Sequence, residues 1–203
     1  MNKSNDKYKY KKYKEKYEQL LINKYKFYFI HKTKNYENLL KILKDGYLTS
    51  GQNVDKKYRF WSGEIALEDI YMNIIFDNLR DNSISYDMTL IFDPTLIFDY
   101  EMDILKGWGV NKLVHIDIND TKLSSKMKKI YKFIKNPDLH EKLLLTPKIL
   151  QHEIRIKQNI SLDKYLRAIV CHCNDNTKVM KLLENYPHVK IITNDLLPDF
   201  QNL

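Results

Sequence analysis

Three groups of side chains in this sequence could do chemistry together. His31 closes a short aromatic and β-branched run, Lys26-Phe-Tyr-Phe-Ile-His31. Tyr58, Phe60, Trp61 and Tyr71 crowd the next stretch, with Ser62 among them. Glu153 falls within the alternating run Leu150 to Ile156, on the face opposite Ile154 and Ile156. A carboxylate stabilises positive charge that develops as a bond breaks. Flat rings stack on a flat heterocycle and keep water from it. A neutral imidazole bonds hydroxyls without adding charge. Each group also has an ordinary structural reading: a satisfied histidine at a strand end, an aromatic pair in the core, a glutamate turned to solvent.

Other chemistries are struck out by their missing residues. The chain has no GxGxxG and no GxxxxGK[ST], and five glycines are too few for the usual phosphate-cradling loops. His152-Glu153 lacks a second histidine one helical turn on, so it is not a zinc-protease motif. Cys171-His172-Cys173 sets two thiols on one face of a strand and the imidazole on the other, too few convergent ligands for a closed zinc site. No metal site is expected. The two cysteines also stand too close for an ordinary structural staple, and a reducing compartment suits them.

The elements that must position these residues can be read from pattern. Lys7 to Lys26 sets Tyr10, Tyr13, Tyr17, Leu20 and Leu21 at helical spacing, a basic N-terminal helical extension over residues 1–26. A buried strand follows, ending at His31, then a helix from Tyr36 to Leu43 closed by Gly46, then extended chain at Tyr47-Leu48. Tyr58 to Gly63 reads as a short strand, and Glu64 to Leu79 as a helix with Ile70, Ile74 and Ile75 facing inward. Met88 to Phe92 is a strand stopped by Pro94, and Leu113 to Ile118 another, with Gly107-Trp108-Gly109 as a loop between them. An amphipathic helix spans Asn119 to Ile134, broken by Asn136-Pro137. After the strand carrying Glu153 come a helical turn at Ile160 to Leu166, a strand from Arg167 to Cys173, a helix from Lys178 to Asn185 and a strand from Val189 to Thr193. Strands outnumber helices and seldom alternate with them, so the fold class is α+β, with residues 27–203 forming a single domain.

Charge narrows the partners. The net charge is +8, and residues 1–26 supply most of it, with nine lysines against Asp6, Glu15 and Glu18. The body is therefore near balance and is not a basic groove reader. Thirty lysines against four arginines, with two alanines, point to an AT-rich coding sequence. Lysine lacks the planar fork that reads guanine edges. The lysine and tyrosine mixture at the N-terminus can still hold phosphates and stack bases, which allows weak contact with RNA or single-stranded DNA. No apolar run approaches the roughly 20 residues of a membrane span, and no signal peptide opens the chain, so the expectation is an intracellular protein with no membrane partner.

The residues Phe29-Ile30-His31-Lys32-Thr33, followed by Asn35, Leu39, Ile42, Leu43, Gly46 and Leu48, resemble the opening strand and helix of the ADP-ribosyltransferase clan. That clan includes the poly(ADP-ribose) polymerases, the RNA 2′-phosphotransferases and the DarT-like DNA-modifying toxins. Phe60-Trp61-Ser62 before a helix containing Tyr71 is similar to its second motif, and Gln151 to Ile156 leading to Ile169 is similar to the third, which carries a catalytic glutamate. The resemblance spans roughly residues 27 to 173. It implies a mixed, largely antiparallel split sheet with flanking helices, and NAD as substrate. It implies further that His31 contacts the adenosine-side ribose, that the Lys32 backbone meets the nicotinamide carboxamide, and that Thr33 lines the same pocket. Two rings from Tyr58, Phe60, Trp61 and Tyr71 would sandwich nicotinamide, with Ser62 on its amide and the register open. Glu153 would be the catalytic carboxylate, stabilising an oxocarbenium-like ribosyl cation.

The chain departs from the clan in lacking the glycine often found after the histidine, and in carrying Gln151 where a Glu-x-Glu pair would have an acid, which weighs against arginine as acceptor. Two functions are implied. One is an ADP-ribosyltransferase, a glycosyltransferase acting on a protein or nucleic-acid acceptor. The other is an inactive module of the same fold that binds nucleic acid or regulates, in the setting of a parasite or large virus, within a host cell or virion.

Overall fold

The computed structural model describes residues 27–33, 35–50, 69–76, 88–106, 111–119, 153–171 and 176–192, together with Lys16, Leu20, Ser125, Lys126 and Lys129. At positions 27, 74–76, 105–106, 111–114 and 153 it describes the backbone. Lys16 and Leu20 are helical, as are Ser125, Lys126 and Lys129; Asn119 is in a turn, and the rest of the two helices expected over 7–26 and 119–134 lies outside the described residues. The strand expected at 58–63 lies outside them as well.

Phe27–Lys32 forms strand β1, an aromatic and β-branched run that suits a pleated, buried surface. Helix α1, Tyr36–Asp45, starts where Asn35 accepts a hydrogen bond from the Asn38 N–H at 3.0 Å. It ends at Gly46, whose φ of 77° is left-handed and whose N–H reaches the Ile42 carbonyl. A Cβ at position 46 would meet the Tyr186 hydroxyl at 3.3 Å, and that hydroxyl is held by donating to the Leu43 carbonyl at 2.9 Å. Gly46→Ala is therefore expected to destabilise the fold by about 1–2 kcal/mol, from left-handed strain plus a neighbour that cannot give way. Urea unfolding with an unchanged m-value and a lowered midpoint checks this.

The remaining elements in order are β2 (Tyr47–Leu48), β3 (Ile70–Phe76), β4 (Met88–Phe92), α2 (Leu96–Asp99), β5 (Met102–Lys106), β6 (Asn111–Ile116), β7 (Glu153–Ile156), β8 (Ile160–Ser161), α3 (Leu162–Tyr165), β9 (Leu166–Cys171), α4 (Thr177–Leu183) and β10 (Lys190–Ile192). Eight strands make one sheet in the order β10-β9-β4-β1-β3-β7-β5-β6, and β2 pairs with β8 in a second. All pairs are antiparallel except β10 with β9. The architecture is α+β with a large, mostly antiparallel sheet.

Two expectations are corrected. Residues 70–76 form a strand, not part of a helix over 64–79. The isoleucine spacing that suits one face of a helix also suits a central strand with neighbours on both sides, and Ile-Tyr-Met-Asn-Ile-Ile-Phe is rich in β-branched and aromatic residues. Tyr71 is therefore strand-borne. Cys171, buried on β9, is disulfide-bonded, against the expectation of cysteines suited to a reducing compartment and too close for an ordinary structural staple.

The main core lies on one face of the sheet. Phe29, Leu90, Phe92, Met72, Ile154, Ile156 and Ile104 pack there with Leu39 and Leu43 of α1 and Val179 and Leu183 of α4. A smaller cluster, Ile30, Ile91, Ala168 and Val170, covers the other face of the β1, β4 and β9 strands.

Candidate active site

The registers show that β3 changes partners along its length, which forks the sheet. β1 pairs with β3 through Phe27 to Ile30 against Asn73 to Phe76, whereas β3 pairs with β7 through Ile70 to Met72 against Ile154 to Ile156. No residue of β3 takes part in both registers, so β3 hands over from one partner to the other between Met72 and Asn73. β1 parts from β3 after Ile30 but stays with β4 through His31↔Leu90 and Lys32↔Thr89. His31 is thus the first residue of β1 at the fork, and Glu153 lies one position beyond the last β3–β7 pair, Met72↔Ile154. In a regular sheet, positions separated by two interstrand spacings lie roughly 10 Å apart.

At the fork the His31 ring replaces the missing backbone pairing. Its Nδ1 lies 2.8 Å from the Tyr71 carbonyl. A carbonyl oxygen can only accept, so Nδ1 carries the proton. Burial holds the His31 pKa below the usual 6.5, against the opposing pull of the Tyr71 carbonyl. The ring is neutral at pH 7, and its Nε2 presents a lone pair. Such an atom accepts from a hydroxyl or amide.

Beyond β1, Thr33 donates its backbone N–H to the Met88 carbonyl at 2.9 Å and its hydroxyl to the same oxygen at 3.3 Å. Together with the Asn35 cap, this fixes the turn between His31 and α1. Lys32 is part-buried and opposite Thr89. The Glu153 backbone opens β7 and pairs with Leu105 of β5. His31, Tyr71 and the backbone of Glu153 therefore stand on three successive strands. Tyr58, Phe60, Trp61 and Ser62 lie outside the described residues.

A polar row that the sequence reading missed crosses the sheet next to the fork. Tyr71 is opposite Arg155, Arg155 opposite Asp103, and Asp103 opposite His115. The Arg155 Nη2 donates to Asp103 Oδ2 at 2.9 Å, and its Nε lies 3.4 Å from the buried Asp69. The hydrogen bond to Asp103, aided by both carboxylate charges, raises the Arg155 pKa. The other oxygen of Asp103 meets the His115 Nδ1 at 2.7 Å, and Glu101 lies 3.5 Å from the His115 Nε2. One signal could have found this row: Arg155 is one of four arginines in the chain and sits between two core isoleucines. Among the described residues, no group of three or more His, Cys, Asp or Glu is placed to hold a metal ion, and no helix is long and apolar enough to cross a membrane.

Comparison with known proteins gives both fold and family. The structure of Thermus sp. 2.9 DarT in complex with ADP-ribosylated ssDNA matches with a TM-score of 0.50 at 11% identity, covering 86% of this chain and 97% of that one. The complex of the same DarT with carba-NAD+ gives a TM-score of 0.49 at 12% identity, covering 84% and 97%. On the first of these matches, the chain has a DarT-like fold. In sequence it is 34% identical over 217 aligned positions to Uncharacterized protein R11 of Acanthamoeba polyphaga mimivirus, covering 94% of this chain and 80% of that protein. A family model described as a family of unknown function matches residues 24–137, which is more than half of the chain. On that match and that relative, the chain belongs to the family of unknown function DUF5846.

Proposed function

We propose that this protein is an ADP-ribosyltransferase that takes ADP-ribose from NAD and passes it to a nucleic-acid acceptor. One observation carries the reading: β3 changes partner from β1 to β7 between Met72 and Asn73, beside a tautomer-fixed His31 on β1 and with Glu153 as the first residue of β7. The motif order His31, aromatic segment, Glu153 agrees with the clan resemblance, and the DarT-like fold supports it. DarT's complex with ADP-ribosylated ssDNA favours nucleic acid over protein as the acceptor class. The mimivirus relative favours a viral protein acting inside a host cell.

In this reading His31 Nε2 accepts a ribose hydroxyl, and Lys32 and Thr33 hold the strand end against which the nicotinamide amide docks. Tyr71 and the segment containing Tyr58, Phe60, Trp61 and Ser62 supply the ring contacts. The glycosidic bond to nicotinamide breaks and its electron pair leaves with the neutral base. Glu153 stabilises the positive charge left on the ribosyl carbon and takes the proton of the acceptor nucleophile as the new bond forms.

The test is binding. NAD at a hundredfold excess over its Kd adds about 2.7 kcal/mol to the stability of the folded state. For a chain of this length that raises Tm by several degrees. Thermal unfolding with and without NAD checks it. An unmoved Tm, together with salt-sensitive binding of single-stranded DNA that is lost on deleting residues 1–26, would favour an inactive nucleic-acid-binding module instead.

A further inference from the structure

Strand β7 is short, and its apolar pairing fixes its position only in part: a slip of two residues keeps one isoleucine in the core and gives the other core place to His152 or Gln158. Three residues meet β3, and the two that enter the core, Ile154 and Ile156, are the same residue type two positions apart. A slip of two residues along the neighbouring strands keeps every side chain on its own face, because the strand period is two. It displaces β7 by about 7 Å. It also brings either Gln151 or Arg155 to the register position that Glu153 holds against Leu105.

The polar row makes that slip unfavourable. The Arg155 guanidinium reaches Asp103 on β5 and Asp69 just ahead of β3, so one side chain ties β7 to both flanking strands. His115 holds the second oxygen of Asp103 and keeps that carboxylate aimed at Arg155. Asp69 is buried and Arg155 and Asp103 are mostly so. Ion pairs taken this far out of water are weak sources of stability, and their best-attested use is to select one arrangement over another. A slipped β7 would leave these charges without their partners, which is the large penalty.

We propose that Arg155, with Asp69 and Asp103, is a positioning residue: it locks the register of β7 and thereby the place of Glu153 at the fork. This rests on the ADP-ribosyltransferase reading above. The experiment uses the full chain and measures kcat and KM for NAD by nicotinamide release, with Tm alongside. The variant Arg155→Met with Asp69→Asn and Asp103→Asn removes the lock without stranding a charge, and the amide oxygen placed at position 103 can still accept from His115. The expected result is a folded protein with KM for NAD within about twofold of wild type and kcat lowered at least about tenfold. Arg155→Lys keeps the charge but loses the planar fork and is expected to fall between the two.

A folded triple variant with kcat within about twofold of wild type overturns the lock. If the triple variant does not fold, wild-type kcat in both Arg155→Lys and Asp103→Asn overturns it equally. A wild-type chain that releases no nicotinamide overturns the enzymatic reading and the lock together. An active wild type that loses turnover on Glu153→Gln, beside a fully active triple variant, removes the lock alone.

Discussion

Under the proposed function, Glu153→Gln is expected to lower nicotinamide release by at least about a hundredfold while Tm stays close to that of the parent chain. The size follows from removing one preorganised electrostatic contact to a developing charge, which is worth about 3–4 kcal/mol in comparable sites. Gln keeps the shape and hydrogen-bonding reach of the side chain but cannot neutralise a ribosyl cation or take the acceptor's proton. The backbone at 153 pairs with Leu105 through main-chain groups, and the substitution leaves these unchanged. KM for NAD should move little, because the lost interaction is made in the transition state. Full activity in this variant would mean that another group carries the charge.

His31→Phe gives the second large effect, and it falls on binding. Phenylalanine fills the space but offers no acceptor to a ribose hydroxyl and no donor to the Tyr71 carbonyl. A buried polar group of the site left without its partner separates cognate from non-cognate ligands strongly, so kcat/KM is expected to fall about a hundredfold, mostly through KM. Stability should fall too, by about 0.5–1.5 kcal/mol for the lost hydrogen bond.

The pH dependence has a fixed sign. Burial lowers the folded pKa of His31 beneath its unfolded value of 6.5, so below that pH the unfolded chain takes up the proton first. The contribution from keeping the ring neutral is complete above 6.5 and is lost as pH falls towards the folded pKa. Wild-type Tm should therefore drop more steeply than that of His31→Phe between neutral and mildly acidic pH. Parallel Tm profiles for the two proteins would mean that His31 does not titrate as its surroundings require.

Local signals made much of the fold legible. Gly46 ended α1 where a left-handed residue was needed, Pro94 lay just past the end of β4, and the Leu150 to Ile156 alternation gave β7. β3 failed for the opposite reason: its partners, β1 and β7, lie some 40 and 80 residues away in sequence, and their pairing outweighed a spacing that also fits a helix. β5 is hard to read because Met102–Lys106 is a short segment lying close behind α2, itself a single turn inside an apolar run.

The site divides along the same line. His31 and Glu153 could be placed on strands because strand ends and alternation show in sequence. Their relation does not: alternation assigns position 153 to the Arg155 face of β7 and position 31 to the Phe29 face of β1. A continuous sheet would keep the two apart. β3 changes partner between these two positions, and that follows only from the registers. Arg155, Asp69 and Asp103 stayed hidden because each ion pair links distant segments, and any lysine or glutamate on an exposed strand face would have looked the same.

The bond from Tyr186 to the Leu43 carbonyl spans 143 residues and seals the end of a helix formed near the front of the chain. β1, the strand beside that helix, is likewise flanked by β4, whose far neighbour β9 is among the last strands. During synthesis the amino-terminal third must therefore wait on the ribosome with its apolar faces uncovered until β9 and Tyr186 emerge. Folding of this protein is consequently expected to be a late and collective event, slowed by its non-local pairing, and not a sequential build from its first helix.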